Sequence, residues 1–463
     1  MMTIRQAASA LHVGWNGKDV LFTGVSTDSR TVKKGDLFIA LSGKNFDGGE
    51  FVASAVKQGA VGAIVNETTA FKSLNSEVPV LSVNNTLKSL GQLAAFWRDQ
   101  FKLSVIGITG SNGKTTVKEM VASILRQAAK ISNDSTDQSI DPVLATEGNL
   151  NNDIGVPLML LRLRADHQFA VFEMGMNHVG EIAYLTKLVK PDAALITNAG
   201  NAHIEGLGSV EAVARAKAEI FQGLSKQGVA IINADDPYNA MWRDCVGARA
   251  VIDFGLQQAA QINATYQMNA LTSQLQLRLP DGVITLQLKV PGIHNIYNAL
   301  AAAAAAVALK IDRTTIASGL EKFTGVKGRI QQKRGLNNAL LLDDTYNANP
   351  DSVRAALAVL AAAPGKKILV LGDMGELGDA AINLHQKIGQ DARNAGLDQL
   401  LTLGKLSAYA TEKFGKGARH FDSIDALLNI ARNLLADDVV VLIKGSRFMQ
   451  MERVVQHLEV HDA

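Results

Sequence analysis

The sequence holds a single cysteine, Cys245, among 463 residues. A lone thiol forms no internal disulfide, so cross-links are excluded as a source of stability and a reducing, cytoplasmic setting is expected. Proline is scarce, at 9, while glycine reaches 40; that balance suits many tight turns between strands and helices. An excess of either charge is also missing. The 46 Lys and Arg against 44 Asp and Glu leave +2, too little to draw the chain to nucleic acid or an anionic membrane. The start, Met-Met-Thr-Ile-Arg-Gln-Ala-Ala, lacks the charged-then-apolar pattern of a signal peptide. The apolar run Ala299–Leu309 is too short and too Ala-rich to cross a bilayer and reads as a packed helix. What remains, 47% apolar and 19% charged, describes a globular chain long enough for roughly two to four domains.

The most informative segment is Ser-Val-Ile-Gly-Ile-Thr-Gly-Ser-Asn-Gly-Lys-Thr-Thr, residues 104–116. An apolar strand feeds a Gly-rich turn, then Lys114, Thr115, Thr116 and a helical pattern from Val117. In such a loop, backbone N–H groups from Gly110, Ser111, Asn112 and Gly113 form a concave nest for phosphate. Lys114 reaches the outer phosphates, and a Thr hydroxyl can hold Mg²⁺. The general pattern places a Gly where this chain has Ile108, so the strict spacing fails by one position.

Around this loop the sequence divides into three blocks. Residues 1–83 mix short strands and helices; Asn84-Asn85-Thr86 opens a linking helix over Leu87–Phe101. The block 84–311 alternates strands (Val105–Ile108, Phe169–Glu173, Ala193–Asn198, Val229–Asn233) with helices, which predicts a parallel sheet covered on both faces. Within it, residues 262–291 alternate strictly and predict an antiparallel hairpin around Pro280-Asp281-Gly282. The block 312–463 has its own rhythm, with strands at Ala339–Asp343, Lys367–Leu371, Leu400–Leu403 and Val439–Ile443. It predicts a small Rossmann-like α/β domain. The polar stretch Ile131–Glu147 predicts a mobile surface loop.

Ligands of parallel sheets gather at the C-terminal strand edge. That rule selects Glu173 and His203 as groups facing Lys114, with Glu173 a candidate metal anchor. In the third block it selects Asp344 for a ribose, and Lys444 and Arg447 for a carboxylate or phosphate. Gly372–Gly378 follows a strand, but its glycine spacing is wrong for a dinucleotide. Lys217, within Ala216-Lys217-Ala218-Glu219-Ile220-Phe221, is by itself only a helix lysine.

Taken in order, nine segments resemble the Mur ligases, the ATP-dependent amino-acid ligases of bacterial cell-wall synthesis. They are Gly24–Arg30, Thr109–Thr116, Gly148–Gly155, Ala216–Phe221, Pro291–Asn295, Gly328-Arg329, Asp343–Pro350, Leu371–Gly378 and Lys444–Arg447. The phosphate-loop spacing here is the form this family uses. The resemblance implies three α/β domains: a small N-terminal one for a UDP-sugar, a central phosphate-loop ATPase and a C-terminal Rossmann-like one. It implies that Ser26, Thr27, Asp28, Ser29, Arg30, Lys44, Asn45, Phe46 and Asp47 hold the UDP-sugar, although Gly49 stands where the family often has His. Asn149, Asn151 and Asn152 are further substrate candidates. Thr115, Thr116 and Glu173 would hold one Mg²⁺; His203 and a carbamylated Lys217 would serve a second. Asn295 and Asn298 would lie near adenine, Arg329 and Asp344 near phosphate and ribose, and Asn347, Lys444 and Arg447 near the second substrate. The implied substrates are UDP-N-acetylmuramoyl-tripeptide and D-alanyl-D-alanine, joined by a monomer with Lys114, Glu173, His203, Lys217 and Arg329 as its catalytic set. Folylpolyglutamate synthetase shares only the ATPase core and lacks a counterpart to the first block. A regulatory phosphate-loop NTPase, turning over ATP without a second substrate, is the alternative of a different class.

Overall fold

A computed structural model describes residues 1–43, 46–67, 78–132, 141–200 and 204–460. Lys44, Asn45 and His203 lie outside the described residues, as does the side chain of Phe46.

The first block forms a five-stranded sheet in the order Trp15–Asn16, Val80–Val83, Gly62–Asn66, Asp36–Ile39, Gly24–Ser26. All pairs are parallel except at the Trp15–Asn16 edge. The linking helix runs Thr86–Arg98, and its start is set by Asn85, whose Oδ1 accepts the Lys88 N–H at 2.9 Å. One face of this helix, Leu90, Leu93 and Ala94, is fully buried and joins first-domain residues such as Ile64 to Leu160 and Leu185 in one apolar cluster. At its other end Arg98 donates to Val189 O at 3.0 Å and Phe101 O at 2.9 Å, tying the helix end to the middle domain.

The middle sheet has six strands, in the order Val143–Ala145, Phe169–Glu173, Ser104–Thr109, Ala193–Ile196, Val229–Asn233, Ala250–Phe254, all parallel. Strands buried on both faces need continuous apolar runs, and Val105, Ile106 and Ile108 are fully buried. In this register Ile108 lies opposite Glu173, so the carboxylate sits level with the Gly-rich turn. The predicted hairpin is present as Ser273–Leu279 and Gly282–Leu288, extended to three strands by Asn263–Met268. Helix Ile293–Ala308 buries Ala299 through Ala306 against the middle core; small side chains there let helix and sheet approach closely.

Two expectations change. The stretch Ile131–Glu147 is not a loop throughout: the helix from Lys114 continues to Ser132, and Val143–Ala145 is an edge strand paired with Phe169–Val171. Three residues are too few to show a period in sequence. Likewise the helix Arg313–Lys322, assigned by sequence to the third block, buries Ile316, Ala317 and Leu320 in the middle core. Ser123 Oγ donates to Gly319 O at 2.7 Å, and a Cβ on Gly319 would strike the Ile124 backbone. We therefore place the junction with the third domain after Phe323 instead of at 312.

The third sheet runs Gln331–Arg334, Leu340–Asp344, Val439–Lys444, Lys366–Gly372, Gln399–Leu403, Ala418–Phe421. Only the first strand is antiparallel. The two edge strands were not read from sequence, being short and polar. Among the described residues no helix is long and apolar enough to cross a membrane.

Candidate active site

The C-terminal edge of the middle sheet faces the third domain across a cleft of about 1030 Å³. Its walls include Ser111–Lys114, Thr116, Asn149, Asn151, Asn152 and Glu173 from the middle domain. Asn295 and Asn298 line it as well, with Arg329, Asp344, Asn347, Lys444 and Arg447 from the opposite side. The candidates Ser26 to Arg30 and Asp47 are not in this lining. They form two turns on the first domain: Ser26 Oγ donates to Asp28 O at 3.0 Å, Arg30 pairs with Asp28 at 2.7 Å, and Asp47 Oδ1 accepts from Ser42 Oγ at 2.9 Å.

The loop needs its glycines. Gly110 has φ +152° with the Thr197 side chain where a Cβ would stand, and Gly113 has φ +84° against Asn298 Oδ1. Two loop N–H groups do not point into the cleft as the nest reading expected. Ser111 N–H donates to Asn198 O and Asn112 N–H to Asn198 Oδ1, both at 2.9 Å. The helix start is the candidate anion cradle. Its first intrahelical bond runs from Val117 N–H to Gly113 O at 2.8 Å, so the N–H groups of Lys114, Thr115 and Thr116 precede it.

Lys114 Nζ folds onto its own loop, donating to Gly110 O at 2.6 Å. Burial lowers its pKa below the ordinary lysine value, with the Glu173 carboxylate opposing the shift. Glu173 is buried and doubly held: Oε2 accepts the Thr115 hydroxyl and Oε1 the Asn151 amide, each at 2.8 Å. Its N–H donates to Thr146 Oγ1 at 2.9 Å, while Thr146 O accepts from buried Lys118 Nζ at 2.5 Å. The edge strand missed in sequence thus sets the height of the carboxylate. Thr115 Oγ1 also accepts from Arg329 Nη2 at 2.9 Å, and the Arg329 guanidinium lies over the Tyr346 ring at 4.3 Å. Arg329 Nε is buried with no partner within the described residues.

Lys217, on helix Val210–Ala218, is almost fully buried. Burial, then the charge of Lys114, holds its pKa well below the ordinary lysine value, favouring a neutral amine. Asp344 and Lys444, expected to meet ligands, are bound to each other at 2.6 Å, and Lys444 also donates to Asn347 O at 2.9 Å. Arg447 is exposed and paired with Glu452 at 2.9 Å. Asn295 Nδ2 donates to Pro291 O at 2.7 Å, and Asn298 Nδ2 to Asn295 Oδ1 at 3.0 Å. Sequence reasoning missed Tyr297, whose hydroxyl donates to Asp235 Oδ2 at 2.7 Å on the cleft wall. It also missed His294, which lines the cleft.

His294 gives a stability prediction. Burial, then the Lys444 charge, pushes its pKa down to about 4. The unfolded imidazole takes a proton first, so this contribution is complete above about pH 6.5 and is lost as pH falls toward 4. It amounts to at most ~3 kcal/mol. Urea unfolding between pH 7 and 4.5 should show the wild type losing more stability than His294→Asn; parallel curves would refute the assignment.

Among the described residues no three His, Cys, Asp or Glu side chains form a ready metal cage. Hard oxygen donors from one carboxylate and one hydroxyl nevertheless fit Mg²⁺, which commonly completes its shell with water and substrate phosphate. Fold and site together define a class: three-domain α/β proteins in which a Gly-rich strand–helix loop lines a cleft covered by a Rossmann-like domain.

The chain belongs to the Mur ligase family. Residues 21–98 match the Mur ligase family catalytic domain, 108–306 the Mur ligase middle domain, and 328–447 the Mur ligase glutamate ligase domain. It is 41% identical to the UDP-N-acetylmuramoyl-tripeptide–D-alanyl-D-alanine ligase of Escherichia coli (strain K12), covering 99% of this chain and 98% of that protein. The Haemophilus influenzae protein of the same name is 42% identical, over 94% of this chain and 93% of its own length. A crystal structure of MurF from Acinetobacter baumannii superposes with TM-score 0.88 at 38% identity, covering 98% of each chain. MurF ligase from Thermotoga maritima in complex with ADP gives 0.81 at 27% identity, over 95% of this chain and 98% of that one.

Proposed function

We propose that the protein is an ATP-dependent ligase joining D-alanyl-D-alanine to the C-terminal carboxylate of UDP-N-acetylmuramoyl-tripeptide. The reaction releases ADP and phosphate and makes the pentapeptide precursor of peptidoglycan, with the enzyme acting as a cytoplasmic monomer. The observation that carries this reading is the chain Arg329–Thr115–Glu173, which ties the third domain to the phosphate loop and to a buried carboxylate. Binding alone does not call for that arrangement, and the family membership supports the substrate assignment.

Carboxylate and amine do not condense readily in water. The tripeptide carboxylate oxygen attacks the γ-phosphorus and ADP leaves, giving an acyl phosphate. The neutral amine of the dipeptide then adds to the acyl carbon. The tetrahedral oxyanion collapses, phosphate departs with its oxygen, and the amine proton passes to a base. Lys114 swings from Gly110 O onto the transferring phosphoryl group, and Arg329 neutralises charge from the opposite wall. Thr115, Thr116 and Glu173 would hold Mg²⁺, which when bound neutralises phosphate oxygens. A carbamate on Lys217, together with His203, would hold a second ion. Asn295 and Asn298 face the nucleotide base and Asp344 its ribose; Asn149, Asn151, Asn152 and Asn347 line the path of the peptide groups. The first-domain residues Ser26–Arg30, with Lys44, Asn45, Phe46 and Asp47, hold the UDP end away from the chemistry. Lys444, already paired to Asp344, acts by fixing the Asn347 carbonyl, and Arg447 is the more available cation for the dipeptide carboxylate. Enclosure between domains protects the acyl phosphate from water.

The test is product mass. Purified protein incubated with ATP, Mg²⁺, UDP-N-acetylmuramoyl-tripeptide and D-alanyl-D-alanine should yield a nucleotide heavier by one dipeptide less water. An unchanged nucleotide while single amino acids are accepted would move the protein elsewhere in the family.

A further inference from the structure

The third domain touches the phosphate loop at a second point besides Arg329. Asn349 Nδ2 donates to Asn112 Oδ1 at 2.9 Å. Both ends of this bond are already oriented by other contacts. On the loop side, the Asn112 N–H is taken by Asn198 Oδ1 at 2.9 Å, and its carbonyl accepts Thr197 Oγ1 at 2.6 Å and Asn198 Nδ2 at 3.2 Å. Its backbone is pinned to the middle sheet, and only the side chain is left to face the third domain. On the other side, Asn349 is the N-cap of helix Pro350–Ala362, in a reciprocal capping box with Ser352. Its Oδ1 accepts the Ser352 N–H at 2.8 Å, and its own N–H donates to Ser352 Oγ at 3.0 Å. Since the cap consumes the carbonyl oxygen, the amide NH₂ must be the end that meets Asn112.

We propose that Asn349 is a positioning residue that couples the phosphate loop to docking of the third domain. It is rigid in its own domain through the cap and reaches Asn112, a side chain of the turn between Gly110 and Lys114 that is carried on a pinned backbone. A nucleotide bound at the loop therefore also steadies the acceptor for Asn349, and the docked domain brings Asn347 and Asp344, on the turn and strand just before it, onto the cleft together with Lys444, which a parallel strand pairs to Asp344. The bond is polar and partly buried, weak enough to open for product release. This coupling rests on the ligase reading for its consequence in turnover, but not for its effect on domain docking.

Asn349→Ser separates the two roles. Serine caps a helix about as well as asparagine but is too short to reach Asn112. The variant should unfold at the wild-type temperature and keep its KM for ATP, with kcat lower by at least ~10-fold from imperfect positioning. In a double-mutant cycle with Asn112→Ala, the double variant should be no slower than the slower single one. Wild-type kcat in Asn349→Ser, or losses that multiply, would overturn the coupling. A readout independent of ligation is hydrogen exchange at residues 350–362 with and without a non-hydrolysable ATP analogue. Protection gained with nucleotide should be lost in Asn349→Ser. If it is lost in a protein that makes no peptide product, the coupling stands and the ligase reading fails. If the wild type ligates and the variant keeps both protection and rate, the coupling fails alone.

Discussion

Lys114→Ala should lower ligase turnover by roughly 10²–10³-fold, the range seen when one preorganised charge-stabilising donor is removed. The expectation follows from where the ammonium sits. It is half-buried at the helix start, held on Gly110 O, beside Glu173 and Arg329. A cation so placed is partly desolvated at some cost, and phosphate supplies the counter-charge that Glu173 alone gives only in part. Folding should survive, because Glu173 keeps its bonds to Thr115 and Asn151 when Lys114 is gone. Thermal unfolding should therefore show a midpoint equal to or above that of the wild type. Turnover near the wild-type rate would remove Lys114 from the chemistry.

Lys217→Met should abolish most activity while preserving the fold. The side chain is enclosed and its amine is held toward neutrality by burial and by Lys114, so an apolar replacement of similar length removes a desolvated amine without opening a cavity. A neutral amine is also the form that adds CO₂, and the resulting anion would sit beside Lys114 where a second cation is otherwise repelled. Wild-type enzyme depleted of CO₂ at mildly acidic pH should lose rate and regain it with millimolar bicarbonate. The variant should respond to neither treatment. Full activity in Lys217→Met, or a wild type indifferent to CO₂, would contradict the carbamate.

The same site shows how far residues speak before coordinates. The strand–turn–helix around Gly110–Lys114 was legible because glycine, lysine and threonine at a strand–helix junction have few other uses, and Phe169–Glu173 and Val229–Asn233 occupy the strands expected of them. Lys217 was not legible bottom-up: nothing in its helix distinguishes a buried lysine from a solvated one, and only the resemblance singled it out. Thr146 and Lys118 were hidden for a different reason. Their roles depend on an edge strand of three residues, Val143–Ala145, and on a partner strand distant in sequence. Lys444 illustrates the converse. A cation at a strand end reads as a ligand group, yet the parallel pairing of Leu340–Asp344 with Val439–Lys444 sets Asp344 opposite it, and the pair closes on itself. The Asn112–Asn349 bond joins residues 237 positions apart, which no local pattern can reveal.

The most direct test of the central claim, that the phosphate-loop nucleotide drives peptide ligation, is phosphate release from ATP and Mg²⁺ in four mixtures. These contain no substrate, UDP-N-acetylmuramoyl-tripeptide alone, D-alanyl-D-alanine alone, and both together. The account predicts sustained release only with both. Release at the same rate in all four would contradict it and mark a regulatory NTPase.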